Sequence, residues 1–248
     1  MLGLPDGVTT CLFDLDGVLT DTASVHQAAW REMFDAFLRE RSQRDRDEAA
    51  FQPFTSSDYE EYVDGKPRLD GVRDFLASRD ITLPEGSADD PADADTVNGL
   101  GRRKNDIVLR RLHDDGVTVF QGSLRYLQAA TDLGLRRAVV SASANAQQVL
   151  DAAGLSQYLE VRVDGITIKD QQLRGKPSPE TYLYAALQLG VPPAQCAVFE
   201  DALSGVAAGR AGGFGYVVGV DRVGQSDALT ANGADVVVTD LGDLLDSR

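Results

Sequence analysis

Cys11-Leu12-Phe13-Asp14-Leu15-Asp16-Gly17-Val18-Leu19-Thr20-Asp21-Thr22 is the stretch on which the reading of the fold turns. Apolar residues run into Asp14, a second carboxylate follows at Asp16, and Gly17 frees the backbone to turn out of a strand. Ligands of an open parallel sheet bind beyond the carboxyl ends of its strands, so a buried strand ending in a carboxylate aims that group into the crevice. Two such carboxylates can divide the work. One can hold a metal and attack as a nucleophile, while the other carries a proton to or from the leaving group. On these residues alone the pair reads equally well as a strand end with two solvated aspartates, and the rest of the chain must separate the two readings.

From Phe120 onward, helix and strand patterns alternate in short units. The patterns predict helices over 124–133, 146–153, 179–188 and 203–211, strands over 137–141, 196–199, 215–220 and 235–238, and a final helix from Leu241. Such alternation means a parallel sheet covered by helices on both faces. Residues 1–22 add one strand to that sheet, whereas 23–117 read as helical. Val25, Ala28, Ala29, Met33, Phe34, Phe37 and Leu38 recur at helical spacing, and shorter helices are predicted over 57–63, 69–78 and 103–113. The expected fold is α/β: a Rossmann-like parallel-sheet core formed by 1–22 and 118–248, with a helical cap domain, 23–117, inserted after the first strand.

Within the inserted region, Thr22 or Ser24 is expected to cap the first helix, and the charged run 39–48 to be its solvated end. His26 and Trp30 lie four residues apart and share a helix face; spacing alone favours a core tryptophan with a partly exposed histidine. The loop Asp64-Gly65-Lys66-Pro67-Arg68 puts two cations on a turn stiffened by proline, either as an anion contact or as a solvated basic loop. Residues 82–98 read as an acidic surface insertion, mobile or lid-like. Arg102, Arg103 and Lys104 at a helix start oppose the helix dipole, which a ligand phosphate or the neighbouring acidic loop would explain.

The chain has 248 residues, 43% of them hydrophobic, enough for one large domain or one domain with an insertion. Its net charge of −15 argues against a nucleic-acid backbone or an anionic membrane as partner. Cys11 and Cys196 each open an apolar run and are expected as reduced core residues. No secretory segment and no bilayer-length apolar run can be read, so a cytoplasmic enzyme is expected.

The remaining strand ends supply the chemistry. Ser141-Ala142-Ser143, with Asn145 opening the next helix, offers a hydroxyl and backbone amides as an anion seat. Gly175-Lys176-Pro177-Ser178-Pro179 presents one lysine on a stiffened turn, suited to neutralising a phosphate. Glu200-Asp201 closes an apolar strand with adjacent carboxylates, whose repulsion a divalent cation relieves; magnesium suits carboxylates, waters and a phosphate.

Asp14-Leu15-Asp16-Gly17-Val18, Ser141, Lys176 and Glu200-Asp201 together resemble the four motifs of the haloacid-dehalogenase-like hydrolase superfamily, in the same order. Within it the chain looks most like the β-phosphoglucomutase-like subfamily. The resemblance implies that Asp14 attacks phosphorus to form an aspartyl-phosphate and that Asp16 is the general acid and base. It places the transferring phosphate on Ser141, Lys176 and the backbone of Ala142, with Asn145 nearby. Mg2+ would sit on Asp14, Asp201, the main-chain carbonyl of Asp16 and, directly or through water, Glu200. Thr22, His26 and Trp30 match a Thr-x-x-x-His-x-x-x-Trp segment of that subfamily, Lys66 falls where its cap loop carries a lysine, and Arg103-Lys104-Asn105-Asp106 resembles a basic cap motif. His26, Trp30, Lys66 and Lys104 are therefore expected to bind substrate. The implied activity is magnesium-dependent phosphoryl transfer on a small sugar phosphate, by a monomer, either as a mutase or as a sugar-phosphate phosphatase. The loop 64–68 and the longer insertion 82–98 depart from the subfamily pattern, which bears on the choice of sugar.

Overall fold

The computed structural model describes residues 2–46 and 51–246. Six strands form one sheet: β1 (Thr10–Phe13), β2 (Arg136–Val140), β3 (Val161–Val163), β4 (Cys196–Glu200), β5 (Tyr216–Val220) and β6 (Val236–Val238), in the order β3-β2-β1-β4-β5-β6. Every pairing is parallel. β1 and β4 are buried along their whole length, as a sheet covered on both faces requires, and this explains their unbroken apolar runs. Phe13 stands opposite both Val139 and Phe199. That register brings Asp14, Ser141 and Glu200 out at the same edge of the sheet. The strand order reverses direction between β1 and β4, where an open sheet of this type keeps its crevice.

The chain divides into two compact units. One, the core unit, comprises Met1–Thr22, Gly65–Pro67 and Val117–Arg248; the other, the helical unit, comprises Ala23–Asp64 and Arg68–Gly116. The helical unit is built from α1 (Ala23–Asp45), α2 (Ser56–Asp58) running into a π turn (Tyr59–Val63), α3 (Arg68–Ser78) and α4 (Val97–Asp115). The apolar positions of α1 converge on an aromatic cluster in which Phe34 stacks on Trp30 and Phe54, each at 5.3 Å between ring centres, and meets Phe75 at 4.0 Å. A buried side chain of this kind contributes about 1.5–3 kcal/mol. In the core unit, α5 (Gln121–Asp132), α6 (Ala146–Ala152), α7 (Gly165–Asp170), α8 (Glu180–Leu189), α9 (Leu203–Ala211), α10 (Ser226–Ala231) and α11 (Gly242–Asp246) accompany the sheet. No helix among the described residues is long and apolar enough to cross a membrane. Cys11 and Cys196 are free, buried thiols.

The sequence reading needs correction at the start of the last helix of the helical unit. α4 begins at Val97, capped by the Thr96 hydroxyl, which accepts from the Gly99 amide at 2.9 Å. Arg102, Arg103 and Lys104 therefore lie beyond its first turn and do not confront the dipole. The side chains of Arg102 and Arg103 donate to the carbonyls of Asp90 (3.3 Å) and Ala92 (2.7 Å), so the acidic loop accounts for both. That loop is also tied to its own unit: the amides of Val97 and Asn98 donate to the carbonyls of Pro84 and Glu85, and Arg73 pairs with Glu85. Finally, the sequence patterns do not predict β3, α7 or α10, because three to six residues are too few to display a period. The charged run 39–48, expected as the solvated end of the first helix, stays helical to Asp45 in α1; residues 47 and 48 lie outside the described residues.

Candidate active site

Asp14 is the first residue beyond β1, anchored by its amide to the Phe199 carbonyl at 2.9 Å. Glu200 ends β4 with no exposure, and Asp201 follows it. Carboxylate oxygens of Asp14, Glu200 and Asp201 all lie within 4.8 Å of one another. Two glycines make that approach possible. Gly17 has φ +93°, and a Cβ on it would fall 1.8 Å from Asp201 Oδ2; a Cβ on Gly205 would fall 1.8 Å from Glu200 Oε1.

Lys176 is the cation of this cluster. Its Nζ donates to Asp14 Oδ1, to Glu200 Oε1 at 2.5 Å and to the Val140 carbonyl at 3.3 Å, and lies 5.1 Å from the centre of the Tyr182 ring. It reaches the cluster from the loop before α8, with α7 between it and the end of β3, so it does not follow a strand directly. The Tyr182 hydroxyl donates to Glu200 Oε1 at 2.8 Å, and the Ala202 amide to Oε2 at 3.1 Å. Burial works against the Lys176 charge, but Asp14 and Glu200 outweigh it and hold the ammonium protonated. Burial pushes the Asp14 carboxyl well above the usual range; Lys176 opposes this, while Glu200 and Asp16 add to it. Burial, with Glu200 and Asp14, likewise keeps the Tyr182 hydroxyl protonated.

Asp16 faces different partners. One of its oxygens accepts from the Thr22 hydroxyl and the other from the Ser141 hydroxyl at 3.1 Å. Thr22 also exchanges a hydrogen bond with Thr20 at 2.8 Å. Ser141 Oγ in turn accepts from the Ser143 amide at 3.1 Å. Ala142 lies in this turn, its carbonyl facing Gly165, where a Cβ would fall 2.7 Å away. Asn145 occupies the N-cap position of α6 without a side-chain capping bond. Thr22, the first residue of the Thr-x-x-x-His-x-x-x-Trp segment, thus belongs to the site, as does Tyr182, which sequence reasoning does not single out. The pattern around Tyr182 reads only as an apolar helix face.

The donor set fits a hard divalent cation. Three carboxylates converge, one lysine neutralises only part of their charge, and every side chain able to ligate offers oxygen. Burial is the main cause of the elevated Asp14 carboxyl, with Glu200 and Asp16 adding to it, and a nearby cation would favour its ionised form.

His26, Trp30 and Lys104 are brought together within the helical unit. Lys104 is 4% exposed; its Nζ lies 2.6 Å from His26 Nδ1 and 4.8 Å from the centre of the Trp30 ring. Trp30 is 3% exposed and lies in the unit's core. Lys66 lies on the tripeptide Gly65–Pro67, which belongs to the core unit. There Pro67 packs on Gly175, and Gly65 packs on Ser204, whose hydroxyl is 2.5 Å from where a Cβ would be.

The chain has clear relatives. The sequence model of the haloacid dehalogenase-like hydrolase family matches residues 8–213. The chain is 57% identical over 249 aligned residues to a β-phosphoglucomutase of Mycobacterium tuberculosis, covering 99% of this chain and 94% of that protein. It is 28% identical to hexitol phosphatase A of Escherichia coli over 93% of this chain and 90% of that protein. A crystal structure of β-phosphoglucomutase from Clostridium difficile superposes with a TM-score of 0.75 at 24% identity, covering 96% and 93% of the two chains, and so shares the fold.

Proposed function

Because the chain belongs to the haloacid dehalogenase-like hydrolase family, we propose that it transfers a phosphoryl group on a small sugar phosphate through an aspartyl-phosphate, as a β-phosphoglucomutase converting β-glucose 1-phosphate to glucose 6-phosphate. The observation that carries this reading is the convergence of the Asp14, Glu200 and Asp201 carboxylates around Lys176 at one end of the sheet. An Asp14 oxygen attacks phosphorus, the bond to the sugar oxygen breaks, and the phosphoryl group is held on Asp14. Lys176 stays charged and faces the oxygens on which negative charge develops. In this reading the Ser141 hydroxyl and the Ala142 amide hold the transferring group. Asp16, aligned by Thr22 and Ser141, gives a proton to the departing oxygen and takes one from the sugar hydroxyl that next attacks.

Asp14, Asp201, Glu200 and the main-chain carbonyl of Asp16 would hold Mg2+. When bound, it supplies positive charge that keeps Asp14 ionised and offsets the charge of the phosphate. Lys104, oriented by His26 and by the face of Trp30, is the sugar-phosphate contact of the helical unit, and Lys66 that of the 65–67 tripeptide. The relationship to hexitol phosphatase A favours a second reading, in which water takes the phosphoryl group. One assay with Mg2+ separates the two. Glucose 6-phosphate formed from β-glucose 1-phosphate and a trace of bisphosphate primer is followed beside free phosphate from a sugar-phosphate panel. Rapid isomerisation with little phosphate is expected; phosphate without isomerisation makes the chain a phosphatase, and Asp14→Asn should abolish either activity.

A further inference from the structure

The loop between β5 and α10 reads Asp221-Arg222-Val223-Gly224-Gln225 and contains none of the residues assigned above. It is locked by its own first side chain: Asp221 Oδ1 accepts from the amides of Val223 (3.2 Å), Gly224 (2.7 Å) and Gln225 (2.9 Å). The Asp221 amide donates to Val238 of β6 at 2.8 Å, so the loop is anchored to the sheet as well. From this frame two side chains reach the loops that carry the acids. Arg222 Nε donates to the Gly17 carbonyl at 2.7 Å, and Gln225 Nε2 donates to the Asp201 carbonyl at 3.0 Å. Arg222 is itself braced, with Nη1 on the Thr239 carbonyl at 2.8 Å and its guanidinium 3.6 Å from the centre of the Phe120 ring.

The two carbonyls belong to backbones already in contact. Gly17 follows Asp16, and its missing side chain is what lets Asp201 approach. Neither backbone can shift without changing the separation between the Asp16–Gly17 turn and the Asp201 carboxylate. We propose that Arg222 and Gln225 are positioning residues: one rigid loop grips both acid-bearing turns and fixes the spacing at which Asp14, Asp16 and Asp201 meet a divalent cation. This rests on the metal-dependent reading above. Partners that orient ligand-bearing groups in this way change metal affinity by about 10–100-fold when removed.

The test is a calorimetric titration of the purified protein with Mg2+ alone, paired with thermal melts and hydrolysis of a small aryl phosphate. Gln225→Leu keeps the size of the side chain without its donor, and Arg222→Met removes the grip on Gly17. Each should bind Mg2+ ~10-fold or more weakly than wild type, and Arg222→Lys, which retains a donor, should recover part of that loss. At low Mg2+ the variants should hydrolyse aryl phosphate slowly, and saturating Mg2+ should restore much of the rate. Asn232→Ala removes a bond that closes the C-terminal end of α10, from Asn232 Nδ2 to the Ala228 carbonyl, and controls for loosening of the same region. It should lower the melting temperature without changing Mg2+ affinity. Should Arg222→Met fail to fold, Gln225→Leu decides alone, because its side chain makes one bond at a partly exposed position. Wild-type Mg2+ affinity in folded Gln225→Leu, or equal weakening in Asn232→Ala, overturns the positioning role. A wild-type protein that binds no Mg2+ overturns the metal-dependent reading together with it.

Discussion

Asp14 and Asp16 stand two residues apart, yet their surroundings assign them different work. Asp14 is buried against Lys176, whereas Asp16 takes hydrogen bonds from two hydroxyls, Thr22 and Ser141. Because its carboxylate is turned toward those hydroxyls, Asp16→Ala should slow turnover ~10²–10⁴-fold while Mg2+ affinity, read by calorimetry, stays near wild type. A matching loss of metal affinity would place the Asp16 side chain among the ligands. In the two thiols burial dominates, over the opposing charge of Arg137 at Cys11. Burial pushes Cys196 up to about 11 despite the opposing Thr10 hydroxyl, and pushes Cys11 higher still. At pH 8 only about one Cys196 thiol in a thousand would be ionised, so a colorimetric thiol reagent should find no fast-reacting group in the native protein and two after denaturation.

Asp164 shows how a short element is held where the pattern is too brief to announce it. Its Oδ1 accepts from the amides of Ile166 (3.1 Å) and Thr167 (2.9 Å) and from the Thr167 hydroxyl (3.0 Å), and Oδ2 accepts from Arg162 at 2.7 Å. These bonds close the six-residue α7 directly after the edge strand β3. Burial raises the Asp164 carboxyl, but the Thr167 amide, Arg162 and the Thr167 hydroxyl pull it further down, leaving it below the usual range. A depressed carboxylate stabilises the fold above its unfolded pKa, about 3.9, and that contribution is lost as pH falls toward its native value. Asp164→Ala should therefore cost about 1–2 kcal/mol in urea unfolding at pH 7. The wild-type advantage over this variant should shrink below about pH 4; an advantage that persists there would mean that packing, not charge, holds α7.

At the scale of the whole chain, each unit carries one cation proposed as a sugar-phosphate contact, and each is tested by itself. Lys104 belongs to the helical unit and Lys66 to the core unit. Lys104→Ala and Lys66→Ala should each raise KM or lower kcat for sugar-phosphate turnover while leaving hydrolysis of a small aryl phosphate nearly unchanged. An equal effect on both substrates would remove these lysines from substrate recognition. Lys104→Ala also deprives His26 and Trp30 of a partner, so melting temperature should be measured beside the kinetics.

Length, alternation and the apolar runs of 11–13 and 196–199 were enough to read the parallel sheet, because strands buried on both faces must be apolar throughout. The same sequence displayed Asp14, Asp16, Ser141, Glu200 and Asp201 where an apolar run breaks, and Lys176 on a proline-stiffened turn. Sequence alone could not place the start of α4, since a helix entered through Thr96-Val97-Asn98-Gly99 has a small, polar first turn that reads as loop. Nor could it reveal the bonds of Arg222 to Gly17 or of Tyr182 to Glu200, which join residues 205 and 18 positions apart. Periodicity describes what each segment buries; which donor meets which carbonyl is decided only when strand order and register bring distant loops to the same edge of the sheet.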